Sequence, residues 1–354
     1  MGFLGMLMQV IRVGVILSAT MAAAAIAFPI ALPECPDICG KVKIPYPYGT
    51  TEGCYLNDTA IFGYYFINCT TNTNGQPQPM IGNLNVTSIS MEGEIDIQIY
   101  NSIDCYEESG RSLPKKTPTL NLPSFTVSAT KNKFVAVGCD TYAYLNGYLN
   151  DQPFTIGCLS YCQNISNVVN GTCSGIGCCE IQIPEGLKNV DFTAYSFNGN
   201  HTKVWDFNPC SFAFIVQEDK FNFSSGYLTS LRNNLTLPMV LDWTIGNETC
   251  KVAQNKANYI CGANTTCSDL NNGSGYRCKC KDGYEGNPYL EQGCQDINEC
   301  DAKELNNCTR HQSCVNELGS YHCSCIKGYH SDGEGNDYNI LVIVYSSYTH
   351  CHMD

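Results

Sequence analysis

The residues whose type and spacing suggest chemistry first are cysteines, 24 of them in 354 positions. Two chemistries compete for so many thiols: oxidised pairs that staple loop-rich units, and thiolate ligation of zinc. The close pairs Cys278-Lys279-Cys280 and Cys323-Ser324-Cys325 hold one intervening residue where zinc sites use roughly two to four, and no histidine completes a ligand set nearby. Disulfides are therefore expected. From Cys35 to Cys210 the count is twelve, an even number that can close internally, with the pairing left open. Cys178 and Cys179 are neighbours, and a bridge between neighbours strains the geometry, so each is expected to reach a different, distant partner. Catalytic arrangements are missing from the sequence. There is no Gly-x-Ser-x-Gly element, and scattered acids such as Glu92, Glu94 and Asp96 define no glycosidase pair. No Gly-rich loop, Val-Ala-Ile-Lys, His-Arg-Asp or Asp-Phe-Gly element supplies the parts of phosphoryl transfer, so the chain is read as a non-enzyme.

Disulfides need an oxidising compartment, and the amino end provides the address. Val10 to Ile26 is an apolar run, and Ala25-Ile26-Ala27 gives a small-x-small site before Phe28, so residues 1–27 are expected to be a cleaved signal peptide. The competing reading is a membrane anchor, since the run approaches the lower limit for a span. Asn-x-Ser/Thr sequons at Asn57, Asn68, Asn85, Asn164, Asn170, Asn200, Asn222, Asn234, Asn247, Asn264, Asn272 and Asn307 suit a glycosylated, secreted protein. With net charge −13 and pI near 4.8 the chain has no field to gather nucleic acid or an anionic membrane surface.

The elements that must carry these residues read as mainly β. In Lys41-Val42-Lys43-Ile44 the period of two would bury Val42 and Ile44 and display both lysines, with Pro45 and Pro47 ending the ladder. Ile95 to Tyr100 has the same period, while Phe134 to Val137 and Phe212 to Val216 read as strands buried on both faces. Long helical periodicity is absent. Pro114, Pro118 and Pro123 mark an extended connector between Ser112 and Ser124, where the region is divided into 28–115 and 116–245.

One long motif resembles a known family. Cys35-Pro36-Asp37-Ile38-Cys39-Gly40-Lys41-Val42-Lys43-Ile44-Pro45-Tyr46-Pro47-Tyr48-Gly49, followed by Gly53-Cys54-Tyr55, resembles the opening of the galacturonan-binding domain of plant wall-associated receptor kinases. Gly175-Ile176-Gly177-Cys178-Cys179-Glu180-Ile181-Gln182-Ile183-Pro184 and Leu241-Asp242-Trp243-Thr244-Ile245-Gly246-Asn247-Glu248-Thr249-Cys250 resemble the family's second ectodomain segment and its junction with EGF-like modules. The resemblance spans roughly residues 30 to 337 and implies binding of pectin, whose carboxylates need cations and whose rings suit aromatic faces. Candidate contacts are Lys41 and Lys43, the cluster Arg111, Lys115 and Lys116, and the rings of Tyr46 and Tyr48. A bland reading competes for each of them, with the lysines a solvated strand face and the tyrosines turn packing.

Cys250, Cys261, Cys267, Cys278, Cys280 and Cys294 resemble an EGF-like module over 246–295, which implies pairs Cys250–Cys267, Cys261–Cys278 and Cys280–Cys294 in a unit with too little core to fold alone. Asp296-Ile297-Asn298-Glu299-Cys300 opens a second module over 296–337 that continues through Cys308, Cys314 and Cys323 to Cys325. Its first four cysteines, Cys300, Cys308, Cys314 and Cys323, are expected in disulfides. This module resembles calcium-binding EGF domains. The resemblance assigns Asp296, Glu299 and Asn316 as side-chain ligands and Ile297, Glu317 and Ser320 as carbonyl ligands, with Tyr321 in support; calcium is a hard cation that wants oxygen. Only Gln295 separates Cys294 from Asp296, so the ion would stiffen the hinge between the modules. The first module lacks the acidic prefix, and no calcium is expected there.

The tail 338–354 departs from the family. Cys351 lies beyond the usual loop length, so the second module is expected to be incomplete, with its pairing to Cys325 open and the run from Ile340 to Tyr345 an aggregation risk. That run is too short to span a membrane, and no other span is expected after the leader. A secreted soluble form, a splice form and a truncated reading frame all fit. The fold class is thus mainly β and disulfide-rich: a short-strand cysteine-rich region followed by two small EGF-like modules. The expected function is extracellular, at the cell wall: binding of pectin or oligogalacturonide, with an EGF pair that contacts another extracellular protein as the alternative.

Overall fold

A computed structural model describes residues 28–57, 65–121, 124–233, 235–270, 275–326, 329–331 and 337–339. The expected leader, the sequons at Asn234 and Asn272, Cys351 and the run from Ile340 to Tyr345 lie outside the described residues.

Among the described residues the chain is built of antiparallel strands, and the helices are single turns such as Tyr227–Ser230 and Cys250–Ala253. β1 (Ile38–Cys39) and β2 (Val42–Lys43) make a small hairpin. A six-stranded sheet takes β3 (Asn68–Thr71), β4 (Pro77–Ile81), β5 (Leu84–Ile89) and β6 (Glu94–Tyr100) in sequence order. Then come β7 (Ser102–Cys105), β8 (Thr119–Leu120), β9 (Phe125–Val127), β10 (Asn132–Gly138), β11 (Asp140–Leu149) and β12 (Gln152–Tyr161). β13 (Gly177–Gln182), β14 (Lys188–Ser196), β15 (Cys210–Gln217) and β16 (Thr236–Trp243) complete the body.

Three sheets result: β3-β4-β5-β6-β16-β9, a middle sheet β13-β10-β15-β7 and an outer sheet β12-β11-β14-β8. β6 shows why a period of two makes a half-buried strand: Ile95, Ile97 and Ile99 are buried and Glu94, Asp96 and Gln98 partly exposed. Each of those isoleucines contributes about 1.5–3 kcal/mol by leaving water. β10 and β15 are buried on both faces because β15 packs on β14 of the outer sheet, while Phe214 meets Phe221 of the following segment edge-on. Buried Asn132 knits sheet to sheet, its Nδ2 donating to the carbonyls of Ser128 and Val240 (both 2.7 Å) and its Oδ1 accepting from the Val240 amide (2.9 Å).

Two expectations are corrected here. Residue 115 does not divide the body into separate sheets: β7 pairs with β15, and β6 with β16, so strands from before and after the connector share ladders. Cys105–Cys210 fastens the same crossing. Cys178 and Cys179 do take different partners, Cys173 and Cys158, because successive side chains of β13 point oppositely, yet Cys173 is only five residues from its partner. The remaining body pairs are Cys35–Cys54, Cys39–Cys69 and Cys139–Cys162.

The first EGF-like module holds two hairpins, β17 (Thr265–Asp269) with β18 (Tyr276–Cys280) and β19 (Tyr284–Gly286) with β20 (Cys294–Asp296). Its bridges are Cys250–Cys267, Cys261–Cys278 and Cys280–Cys294. It is seated on the body: Tyr289 packs against Trp243, whose ring also meets Tyr48 and Tyr65 edge-on, and one hydrophobic cluster runs through both units. The second module has β21 (Gln312–Glu317) and β22 (Ser320–Cys325), bridged by Cys300–Cys314 and Cys308–Cys323; Cys325 is disulfide-bonded as well. β23 (Tyr329–Ser331) and β24 (Asp337–Asn339) pair beyond it.

Candidate cation site and glycan-facing surface

The oxygen-rich prefix meets the hairpin of its own module at the junction between modules. Asp296 ends β20, where it pairs with Tyr284, and Ile297 donates its amide to the Gly283 carbonyl at 2.9 Å. The Asp296 carboxylate reaches forward, Oδ1 accepting from the Gly319 amide (2.5 Å) and Oδ2 from Asn316 Nδ2 (2.7 Å). These two bonds, the backbone one foremost, hold its pKa below the ordinary carboxylate value. Asn316 and Glu317 end β21 opposite Tyr321 and Ser320 of β22, and the 3₁₀ turn Glu299–Asp301 packs on both strands.

Four of the six expected ligands, Asp296, Asn316, Glu317 and Ser320, thus converge on one hairpin tip, with Ile297 and Glu299 on the segment leading to it. Glu317 also pairs with His322 at 2.9 Å, and the Tyr321 hydroxyl donates to Asn307 Oδ1 at 3.1 Å. The donor set suits a hard cation. Glu299 Oε2 is buried without a hydrogen-bond partner among the described residues, an uncompensated acceptor that a cation satisfies. The set has two carboxylates and is completed by an amide and carbonyls; among the described residues no group of three His, Cys, Asp or Glu offers a zinc-type cluster. A half-turn of the Asn316 amide exchanges its nitrogen for its oxygen at the Asp296 side.

Packing sets the angle between modules. Gly319, at φ +79°, makes the turn of the β21–β22 hairpin, and a Cβ on it would come within 2.6 Å of the Tyr284 ring of the preceding module. Gly283, at φ +80°, faces the Gly319 backbone, with a Cβ there 2.8 Å from the Gly319 Cα. Gly283 needs glycine because two backbones touch there, and Gly319 because an aromatic ring lies against it, each at a left-handed φ.

The expected pectin contacts are scattered. Lys43 lies on β2 and Lys41 in the turn before it rather than on the strand; both are exposed, and neither has an ion-pair partner among the described residues. Arg111 is engaged by Glu107, and Lys115 sits 3.0 Å from the fully buried Asp104. Lys116 is exposed, its backbone bridged to Ile103. Tyr46 is partly buried against the core. Tyr48 is withdrawn as a stacking residue: it is fully enclosed against Trp243 and Tyr65, at the end of the turn through Tyr46 and Pro47 that its amide closes on the Pro45 carbonyl (2.9 Å).

Of the described sequon asparagines, Asn57, Asn68, Asn164, Asn170, Asn222, Asn247, Asn264 and Asn307 are exposed, and Asn85 and Asn200 partly so. A serine–imidazole pair that the sequence did not advertise, Ser211 Oγ to His201 Nε2 at 3.0 Å, resembles a nucleophile and base only in composition. Both residues are enclosed, and the other ring nitrogen meets the Asn208 carbonyl at 2.8 Å, so the pair is a structural knot. No helix among the described residues is long and apolar enough to cross a membrane.

A calcium-binding EGF domain profile matches residues 296–337. Wall-associated receptor kinase 2 of Arabidopsis thaliana is 40% identical over 300 residues, covering 84% of this chain and 39% of that protein. Wall-associated receptor kinase 1 is 36% identical over 304 residues (84% and 40%), and wall-associated receptor kinase 5 is 39% identical over 298 (83% and 39%), both from the same plant. The chain spans about two-fifths of the length of the curated relatives it matches.

Proposed function

Since the chain is homologous over most of its length to the wall-associated receptor kinases, we propose that it is an extracellular, glycosylated binding protein of the cell wall whose body holds pectin and whose module junction holds calcium. The observation that carries the pectin reading is the state of Lys41 and Lys43. In a chain of net charge −13 they are exposed cations without an ion-pair partner among the described residues, free to meet a carboxylate. Lys116 is a third of this kind. Arg111 and Lys115 already have carboxylate partners and contribute less. Surface lysines meeting a polyanion give salt-sensitive binding.

At the junction, Asp296, Glu299 and Asn316 supply side-chain oxygens and Ile297, Glu317 and Ser320 carbonyls. When bound, calcium supplies charge neutralisation and crosslinking, with no activated nucleophile. It stiffens the joint that Gly283, Tyr284 and Gly319 already shape. The second reading, a protein-interaction module, is favoured by Leu318, which is 85% exposed at the tip of the β21–β22 hairpin.

Retention of the secreted protein on immobilised polygalacturonate decides between them. Retention that weakens with rising salt and is lost in the Lys41→Glu, Lys43→Glu double variant is expected. No retention at low salt, with or without calcium, would sink the pectin reading.

A further inference from the structure

The outward face of the outer sheet carries an aromatic row that Lys41, Lys43 and the cation site leave unused, with Lys115 over one of its rings, Tyr195. Register places Tyr142 beside Leu159 and Tyr195, Tyr144 beside Gly157 and Thr193, and Tyr148 beside Pro153 and Lys188, all directed away from the buried Ala143 and Leu145. Tyr142 stacks on Tyr195 at 5.1 Å and meets Phe197 at 5.0 Å, and Tyr161 closes the same end, 6.3 Å from Phe197. Tyr144, Tyr148, Tyr161 and Phe197 are each between 45% and 48% exposed; the rings of Tyr142, Tyr144, Tyr195, Phe197 and Tyr161 form a contiguous group of the kind that signals binding, with Tyr148 further along the same strand.

We propose that this row is a stacking platform for a neutral, flat-faced wall glycan, a β-1,4-linked sugar chain, distinct from the lysine-borne pectin contacts. Three features select that occupant. Length comes first: Tyr142 to Tyr148 span about 20 Å of strand, the reach of a short oligosaccharide laid along β11. Shape is the second: Gly157 leaves room for the Tyr144 ring to lie across β12, two ring atoms standing 3.1 and 3.2 Å from where a Cβ would be, which makes a low surface rather than a pocket. Charge is the third. Asp191 accepts from Asn146 Nδ2 at 2.9 Å and has Lys188 on the same strand, while Lys115, 4.2 Å over the Tyr195 ring, is neutralised by Asp104. Along Tyr142, Tyr144 and Tyr195 the face thus carries no cation without a carboxylate partner among the described residues, Lys188 standing opposite Tyr148 at the far end, and it offers hydroxyls and amides to a chain of hydroxyls.

The test is calorimetric titration of the whole secreted protein with cellohexaose, in parallel with retention on polygalacturonate. Binding of cellohexaose is expected, about tenfold weaker in the Tyr144→Ala, Phe197→Ala double variant, since each lost ring contact removes part of the stacking energy. Pectin retention should stay unchanged in that variant, and cellohexaose binding unchanged in the Lys41→Glu, Lys43→Glu variant, so the two sites fail separately. Three results would overturn the proposal: no cellohexaose binding by the wild-type protein, equal binding by an aromatic variant whose melting curve matches wild type, or a dimer that the aromatic variant abolishes, which would make a second copy the occupant. Binding seen only after enzymatic removal of N-glycans also overturns it, because sugars attached at Asn164 or Asn200, near Tyr161 and Phe197 in sequence, would then be what covers the face.

Discussion

His201 is 1% exposed, stacked on Tyr106 at 4.9 Å and bonded through both nitrogens, and burial pushes its pKa below the ordinary 6.5. The Asn208 carbonyl and the nearby Asp140 and Asp104 pull the other way without reversing it. A depressed folded-state pKa means that the unfolded chain takes up the proton first, so the stability from a neutral His201 is complete above about pH 6.5 and is lost as pH falls below it. Denaturant midpoints measured at pH 7.5 and 5.5 should show that loss, and His201→Gln should flatten the difference while costing about 1–2 kcal/mol at the higher pH. An unchanged pH dependence in the variant would clear His201 of the role. Glu299 makes the opposite case. Its orphaned oxygen costs stability until a cation meets it, so Glu299→Gln should weaken calcium affinity in a titration without lowering the melting point of the calcium-free protein. Glu299 stands in a short prefix that the sequence singles out as a candidate ligand; nothing local in sequence marks His201, whose partners come from the next strand and the turn before it.

Arg277 shows how one side chain decides the standing of an element. From β18 it donates Nε to the Trp243 carbonyl (2.9 Å) and Nη2 to the Gly93 carbonyl (3.0 Å), and it lies 3.4 Å from Asp242, whose pKa burial raises and Arg277 partly restores. Arg277→Ala leaves those acceptors and a half-buried carboxylate without their cation, at a cost of about 1–3 kcal/mol. Limited proteolysis should then cut the 244–249 linker faster, and an unaltered cleavage rate would show that the contact does not anchor the module. At the other end, Gly283→Ala forces a Cβ into the Gly319 backbone at a left-handed φ, so calcium affinity should fall although no ligand is touched. Strand existence was legible wherever alternation was strong, as in β6, and the EGF-like hairpins were legible from cysteine spacing. Pairing between distant strands was not. β7 with β15 and β6 with β16 are set by which buried faces fit together across more than a hundred residues, and the proline-rich connector between them carries no trace of it.

At the scale of the molecule the decisive boundary lies after the first EGF-like module, although its six cysteines close among themselves and so advertise independence. Asn287 is completely buried and donates Nδ2 to the carbonyls of Ile30 (2.6 Å) and Tyr46 (2.7 Å), tying the module to the first described strand-free segment and to the turn that buries Tyr48. Tyr289 covers Trp243 from the same side. A protein ending at residue 245 would expose Trp243 and strand two buried carbonyls, whereas one ending at residue 295 keeps every one of these contacts and loses only the junction with the second module. Secreted fragments 28–245 and 28–295 should therefore behave differently: the longer is expected to melt as one cooperative unit near the temperature of the full chain, and the shorter to melt at least several degrees lower and to bind a hydrophobic dye. Equal melting of the two fragments would mean that the module is merely parked on the body. If the difference appears, calcium held as proposed at Asp296 and Glu299 would be a clamp between the body and the second module, so that its removal should leave the melting of fragment 28–295 untouched while loosening the full chain at that one joint.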